Sequence, residues 1–225
     1  MNDLFLAVGL FIATHAIPAA RPLRNALIGL LGKGPYMVLY SLLSLAVIVW
    51  LGVAYAAAPY VEIWPQESWM RWVPVLAMPV ASILFLAGLM APGTLSVGFG
   101  RRGFDPRRPG IVSITRHPVI WALLIWSVTH MVANGDGASL ILFGLLTGLA
   151  LSGPKSLDHK AKAHLGVEEW NRLTKSTLSI PLTALFSGKA RLDWWGIGWI
   201  PVLGGLVLYG AFLSLHETVI GVSPL

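Results

Sequence analysis

The sequence predicts an all-α membrane protein, a polytopic bundle of about six transmembrane helices with an amphipathic segment at one membrane surface. Three observations predict it. Hydrophobic residues make up 56% of the 225-residue chain and charged residues only 12%, about half the charged fraction of a soluble domain. Six segments are continuously apolar over lengths near the ~17–25 residues that a bilayer requires. Fifteen of the sixteen Lys and Arg residues fall in alternate loops between those segments, the bias that marks a cytoplasmic face.

The spans fall near residues 3–20, 36–58, 73–91, 118–134, 138–153 and 198–216. The first follows Met1-Asn2-Asp3. An acid there, where a secretory signal needs a basic region, makes the segment a span and not a cleaved leader. The loop after it holds Arg21, Arg24 and Lys33, whereas the next holds Arg71 against Glu62 and Glu67. The third loop, GRRGFDPRRPG with its flanks, is densely basic, and the fourth has only Asp136. The fifth span, ASLILFGLLTGLALSG, is the shortest. Beyond it, residues 154–197 carry seven Lys or Arg. That stretch reads as two short polar helices, KSLDHKAKAHL and VEEWNRLTK, broken at Gly166 and lying at the inner surface. Trp170, Trp194, Trp195 and Trp199 suit the headgroup level. Asp3 and Glu217 then place both termini on the outer, periplasmic side of a bacterial inner membrane. Residues 1–225 read as a single domain. Gly144, Gly148 and Ser152 recur every four residues, a stripe that permits close helix contact within the chain or with a membrane protein partner.

Composition also limits the chemistry. The chain has no cysteine, which removes iron–sulfur clusters, thiolate-ligated haem and Cys-based zinc sites together. The net charge of +6 lies in the membrane-facing loops, so its partner is anionic lipid and not nucleic acid. GFGRRG at 98–103 matches the dinucleotide fingerprint by letter, but it follows a span and enters a proline-rich loop, the wrong context for that motif. His159 and His164 read as solvated residues on a surface helix.

His15 and His130 lie inside spans, where ionisable groups are costly and face a partner or a cavity. The bland alternative is a neutral imidazole satisfied by a backbone carbonyl. Each His stands six residues before a charge on the near face, Arg21 and Asp136 respectively, and so ~9 Å below it. In a core of ~30 Å their depths differ by roughly 10 Å. A bis-imidazole iron site needs Cα atoms on the order of 12 Å apart. The remaining offset of about 7–8 Å is close to the spacing of packed helices. The arithmetic allows one iron between the first and fourth spans without demanding it. His117 opens the fourth span in TRHP, at the cytoplasmic surface. His216, beside Glu217, is a weaker candidate as ligand or orienting group.

Five stretches carry a family resemblance: THAIPAARPLRNALIG, GPYMVLYSLLSLAVIVWLGVAYAAAP, TRHPVIWALLIWSVTHMVANGD, DHKAKAHLG and LHETVIGVSPL. In them the chain resembles the NnrU family and its relative zeta-carotene isomerase over nearly its whole length. The resemblance implies a b-type haem with axial ligands matching His15 and His130. Arg21 and Arg24, one to two turns beyond His15, would pair with the propionates. It implies either redox-gated cis–trans isomerisation of a polyene, an apolar small-molecule substrate, or a haem-dependent role in nitric oxide metabolism during denitrification. No catalytic residue is singled out. The isomerase has a cysteine one turn before the second ligand, where this chain has Ser127. A more distant resemblance is to the isoprenylcysteine and phospholipid membrane methyltransferases, which also open a span with RHP. It implies S-adenosylmethionine binding at His117, although Ala122 replaces their usual Gly and Asp158 with Glu168 follows their acidic pattern loosely. A third reading is a non-catalytic membrane assembly factor in which every histidine is structural.

Overall fold

The computed structural model describes residues 1–15, 20 and 22–225. Its helices are α1 (Asn2–Ala19), α2 (Arg21–Leu31), α3 (Lys33–Ala56), α4 (Trp72–Met90), α5 (Pro118–Asn134), α6 (Gly137–Leu165), α7 (Val167–Thr174), α8 (Thr183–Phe186), α9 (Trp194–Ile197) and α10 (Trp199–Ile220), with a 3-10 turn at Gly110–Ser113. No strand occurs among the described residues. Each of the six expected spans coincides with a helix. Four of them, α3, α4, α6 and α10, are long and apolar enough to cross a membrane. The other two are shorter apolar helices, Asn2–His15 within α1 and the whole of α5. The 17 residues of α5 reach about 26 Å, somewhat under the ~30 Å of a hydrocarbon core. The exposed surfaces agree with a membrane protein in contact with lipid. Leu42, Leu45, Val49 and Val53 on α3 and Leu203 and Val207 on α10 are all exposed, an apolar outer surface that water would not tolerate over such an area.

The chain divides into two compact units. The first comprises Met1–Pro65 and Gly135–Leu145. Leu4, Ala7 and Phe11 of α1 pack with Val47, Leu51 and Ala54 of α3 and with Ala138 at the start of α6. The second and fourth interhelical loops meet here. The amides of Ile63 and Trp64 donate to the Gly135 carbonyl at 2.9 and 3.1 Å, and the Gly137 amide donates to Val61 at 2.8 Å. Gly135 has φ +66°, and a Cβ there would lie 2.7 Å from the Trp64 carbonyl oxygen, so only glycine serves. Asp136 caps α6, its Oδ1 accepting from the Ser139 amide at 3.0 Å and its Oδ2 from the Ser139 hydroxyl at 2.5 Å. Tyr55 then donates to the Ser139 hydroxyl oxygen at 2.9 Å. These loops, which the charge pattern assigns to one membrane face, are joined at one end of the unit.

The second unit comprises Gln66–Asn134 and Leu146–Leu225. Its centre is α4, packed by α5 on one side and α10 on another. Gly88 of α4 lies under Pro118 and Val119 of α5, and Gly205 of α10 lies against the Ile83 backbone. Small residues at such crossings let helix backbones approach closely, which takes the place of a hydrophobic driving force in lipid. Here the third and fifth loops meet, the Arg116 amide donating to Leu178 at 3.0 Å and the Leu182 amide to Ile114 at 2.8 Å.

Several expectations need correction. The segment after the fifth span is not an independent polar helix. α6 runs unbroken for 29 residues through Pro154 to Leu165, and only the second polar helix, α7, is separate. The change from apolar to polar marks where the helix leaves the apolar region, not where it ends. The loop after the first span is in part a further helix, α2. In the small-residue stripe, an added Cβ at Gly148 would meet nothing within 4 Å, so packing within the chain does not account for that glycine. Trp194, Trp195 and Trp199 are exposed, and Trp170 is half-buried against the second unit's core. GFGRRG is a turn folded back on the end of α4. The Phe99 amide donates to Leu89 at 2.8 Å, the Gly100 amide to Ala91 at 3.0 Å, and a Cβ on Gly100 would lie 2.6 Å from the Met90 carbonyl oxygen. Its glycines serve backbone packing against carbonyls left over at a helix end.

Candidate functional site

Three histidines at or near helix ends share one feature. His15 on α1 places Nδ1 2.8 Å from the Phe11 carbonyl one turn back. His130 on α5 does the same with the Trp126 carbonyl at 2.8 Å. His216 on α10 places Nδ1 2.7 Å from the Val222 carbonyl in the turn that ends the helix. A carbonyl oxygen only accepts, so Nδ1 must carry the proton in each case. In the neutral imidazole this puts the lone pair on Nε2. The Phe11 ring stacks on His15 with centroids 3.9 Å apart, and the Trp126 ring meets His130 edge-on at 5.9 Å. His15 belongs to the first unit, whereas His130 and His216 belong to the second, within electrostatic reach of each other. Arg24 makes no ion pair among the described residues, and Arg21 lies outside the described residues. Ser127 is fully buried on α5; its hydroxyl donates to the Leu124 carbonyl at 3.2 Å and accepts from Thr147 on α6 at 2.9 Å.

His117 is built differently. Pro118 opens α5 and brings the preceding Arg-His pair into the base of the second unit, where His117 is completely buried. Its Nδ1 lies 2.8 Å from the Ser96 hydroxyl, and its Nε2 lies 3.0 Å from Asp158 Oδ1. That second pair approaches off the line a hydrogen bond needs, and neither atom has another hydrogen-bond partner, so the contact is electrostatic. The other Asp158 oxygen meets Arg116 Nη2 at 3.1 Å, and the guanidinium sits 5.1 Å above the Trp170 ring. Burial pushes the Arg116 guanidinium below its ordinary pKa, while the Asp158 charge opposes the shift.

The surrounding loop is tied down by side chains. Thr115 Oγ1 and Trp121 Nε1 both donate to the Ser179 carbonyl, at 2.7 and 2.8 Å. Thr115 Oγ1 also accepts from the His117 amide at 3.2 Å. Asp193 holds the far end, its Oδ2 accepting from the Gly110 amide at 2.9 Å and its Oδ1 from the Gly196 amide at 2.8 Å. Asp193→Ala is expected to lower stability by about 1–3 kcal/mol, because the buried Gly110 amide loses its acceptor. A detergent thermal melt reads this directly, and an unchanged midpoint would assign the loop's stability to other contacts.

The structure therefore brings His117 and Asp158 together, with Nδ1 engaged by Ser96 and Nε2 buried beside the carboxylate without a hydrogen bond. His159 and His164 are exposed, as expected. The roles of Ser96, Arg116, Trp170 and Asp193 were not read from sequence. The available signal was Asp158 itself, a carboxylate five residues past the end of a span that needs a partner if it is partly buried. Among the described residues there is no group of three or more His, Cys, Asp or Glu placed to hold a metal ion.

The model of one protein family, described as NnrU protein, matches residues 3–224. No curated protein and no solved structure matches the chain.

Proposed function

The chain belongs to the NnrU protein family, and from that premise we propose that it is a haem-b-binding membrane protein with His130 and His15 as axial ligands and a role in nitric oxide metabolism. The observation that carries the reading is the tautomer imposed on both residues. In each, Nδ1–H is fixed on a carbonyl one turn back, at 2.8 Å, which orients the ring and puts the neutral imidazole's lone pair on Nε2. Metal-ligating histidines are held in this way, and the tie raises the basicity of the ligating nitrogen. The donor set fits a haem, whose iron accepts two imidazoles and needs no carboxylate. A haem there would supply a redox-active, Lewis-acidic iron within an apolar setting. Arg24, unpaired among the described residues, is available to a propionate, and Arg21 is proposed beside it from sequence alone. Ser127 favours the nitric oxide role over polyene isomerisation, because its position offers no thiolate and its hydroxyl is held by Thr147 and Leu124.

The test is a visible spectrum and iron content of detergent-purified protein. The wild type is expected to carry close to one haem per chain with a low-spin Soret band. His130→Ala is expected to lose most of it, and His15→Ala to lose the low-spin signature. If His216→Ala removes that signature and His15→Ala does not, His216 replaces His15 as the second ligand. A wild-type band in both His15→Ala and His130→Ala, or a colourless wild type after haem supplementation, overturns the proposal; the second outcome favours an assembly factor. Nitric oxide added to the reduced protein is expected to shift the band, and an unmoved band would refute the nitric oxide role.

A further inference from the structure

Separate from the histidines, the second unit carries an open cleft of about 330 Å³ between the loop 106–109 and the segment 189–193. This lies at the lower end of the ~300–1,000 Å³ range of small-ligand sites. Arg107, Lys189 and Arg191 line it, with the Ser176 hydroxyl among them. None of the three cations has an ion-pair partner among the described residues.

The carboxylates nearest in sequence are turned to other uses. Asp105 Oδ1 accepts from the Arg107 amide at 2.9 Å. Asp193, the one acid in the lining, has an oxygen on each of the Gly110 and Gly196 amides. These bonds make the floor rigid. Gly110 adopts φ +55°, and a Cβ there would lie 2.9 Å from the Gly196 carbonyl oxygen. The lining therefore keeps an excess of two positive charges on a fixed base. Guanidinium forks and an ammonium are the groups that suit phosphate oxygens.

Its place in the chain identifies the carrier of that phosphate. Trp194 and Trp195 follow Asp193 directly, 63% and 86% exposed, and Trp199, 70% exposed, begins the apolar helix α10. Large exposed indoles at the mouth of a span sit at the headgroup level. A cationic cleft at that depth is bathed in lipid headgroups, with the indoles positioned beside the glycerol and upper acyl chain.

We propose that the Arg107–Lys189–Arg191 cleft binds the phosphate of an anionic glycerophospholipid. The experiment is native mass spectrometry of the full-length protein, extracted from vesicles of phosphatidylcholine with phosphatidylglycerol. Wild type is expected to retain phosphatidylglycerol selectively. The R107A/K189A/R191A variant is expected to lose affinity by about fivefold per cation, on the order of a hundredfold in all. All three side chains are exposed, so an unchanged thermal melt verifies folding, and each single variant, showing a graded loss, serves if the triple variant misfolds. R101A/R102A, which removes charge from the neighbouring turn, is expected to retain the lipid. Equal retention by the triple variant overturns the proposal, as does an equal loss in R101A/R102A, which would mean diffuse surface attraction. Displacement of the lipid by millimolar inorganic phosphate also overturns it, assigning the cleft to a soluble phosphate.

Discussion

Asp158→Ala is expected to destabilise the second unit by about 3–5 kcal/mol, the usual cost of stripping one partner from a buried ion pair. Arg116 is 8% exposed, and its closest anion is Asp158 Oδ2 at 3.1 Å. Without that carboxylate a buried guanidinium is left with only the Trp170 ring, and a cation–π contact returns about 0.5–2 kcal/mol. His117 loses its charged neighbour in the same step. The diagnostic measurement is a double-mutant cycle. Arg116→Met and Asp158→Leu together should cost less than Asp158→Ala alone, since two apolar side chains leave no orphan charge. Thermal melts in one detergent supply all the values. Additive losses would mean that Arg116 and Asp158 are not coupled, and the network would have to be redrawn.

Gly205→Leu is the second large effect, and its origin is steric. A Cβ at Gly205 would lie 2.6 Å from the Ile83 Cα and 2.8 Å from its amide nitrogen, and backbone cannot move aside as a side-chain tip can. α10 must shift off α4, which also strains the bond from the Tyr209 hydroxyl to the Val75 carbonyl, 3.0 Å long. Overpacking ordinarily costs about 1–3 kcal/mol; a clash with backbone at a helix crossing is expected to exceed that range. Gly210→Leu on the same helix is the control, since nothing lies within 4 Å of a Cβ there. Limited proteolysis should cleave Gly205→Leu faster than wild type and leave Gly210→Leu unchanged. Similar behaviour of the two variants would refute the close α4–α10 crossing.

The four long apolar helices were legible because one physical quantity, transfer into hydrocarbon, acts on every residue of a twenty-residue window. The grouping of loops was legible for a similar reason: charge is repelled from the core, and the loops grouped by charge do meet, at Gly135 in one unit and around Arg116 in the other. The true length of α6 was hidden because polarity changes at Pro154 while the hydrogen-bonded helix continues, and membrane helices tolerate an internal proline. His15 and His130 were legible as residues out of place in oil. Their shared tie to a carbonyl one turn back was anticipated as the bland alternative. His117 was read as a surface residue because TRHP names nothing beyond its own turn. Its partners arrive from the turn after α4 and from the far end of α6, and no local pattern encodes a meeting of that range.

The ties that close the base of the second unit also fix an order of assembly during synthesis. Thr115 and Trp121 wait for the Ser179 carbonyl, 64 and 58 positions downstream, and the Gly110 amide waits for Asp193, 83 positions away. The Ser96 hydroxyl is already made when the Arg116–His117 turn emerges, but Asp158 and the Leu178 carbonyl follow only once α6 and the segment beyond it have been translated. Closing loops of that size carries an entropic cost before any contact returns it. The nascent chain thus holds a cationic turn short of its carboxylate and carbonyl partners until residues 158–179 have been made, and that turn is the site a quality-control factor would meet on an unfinished copy.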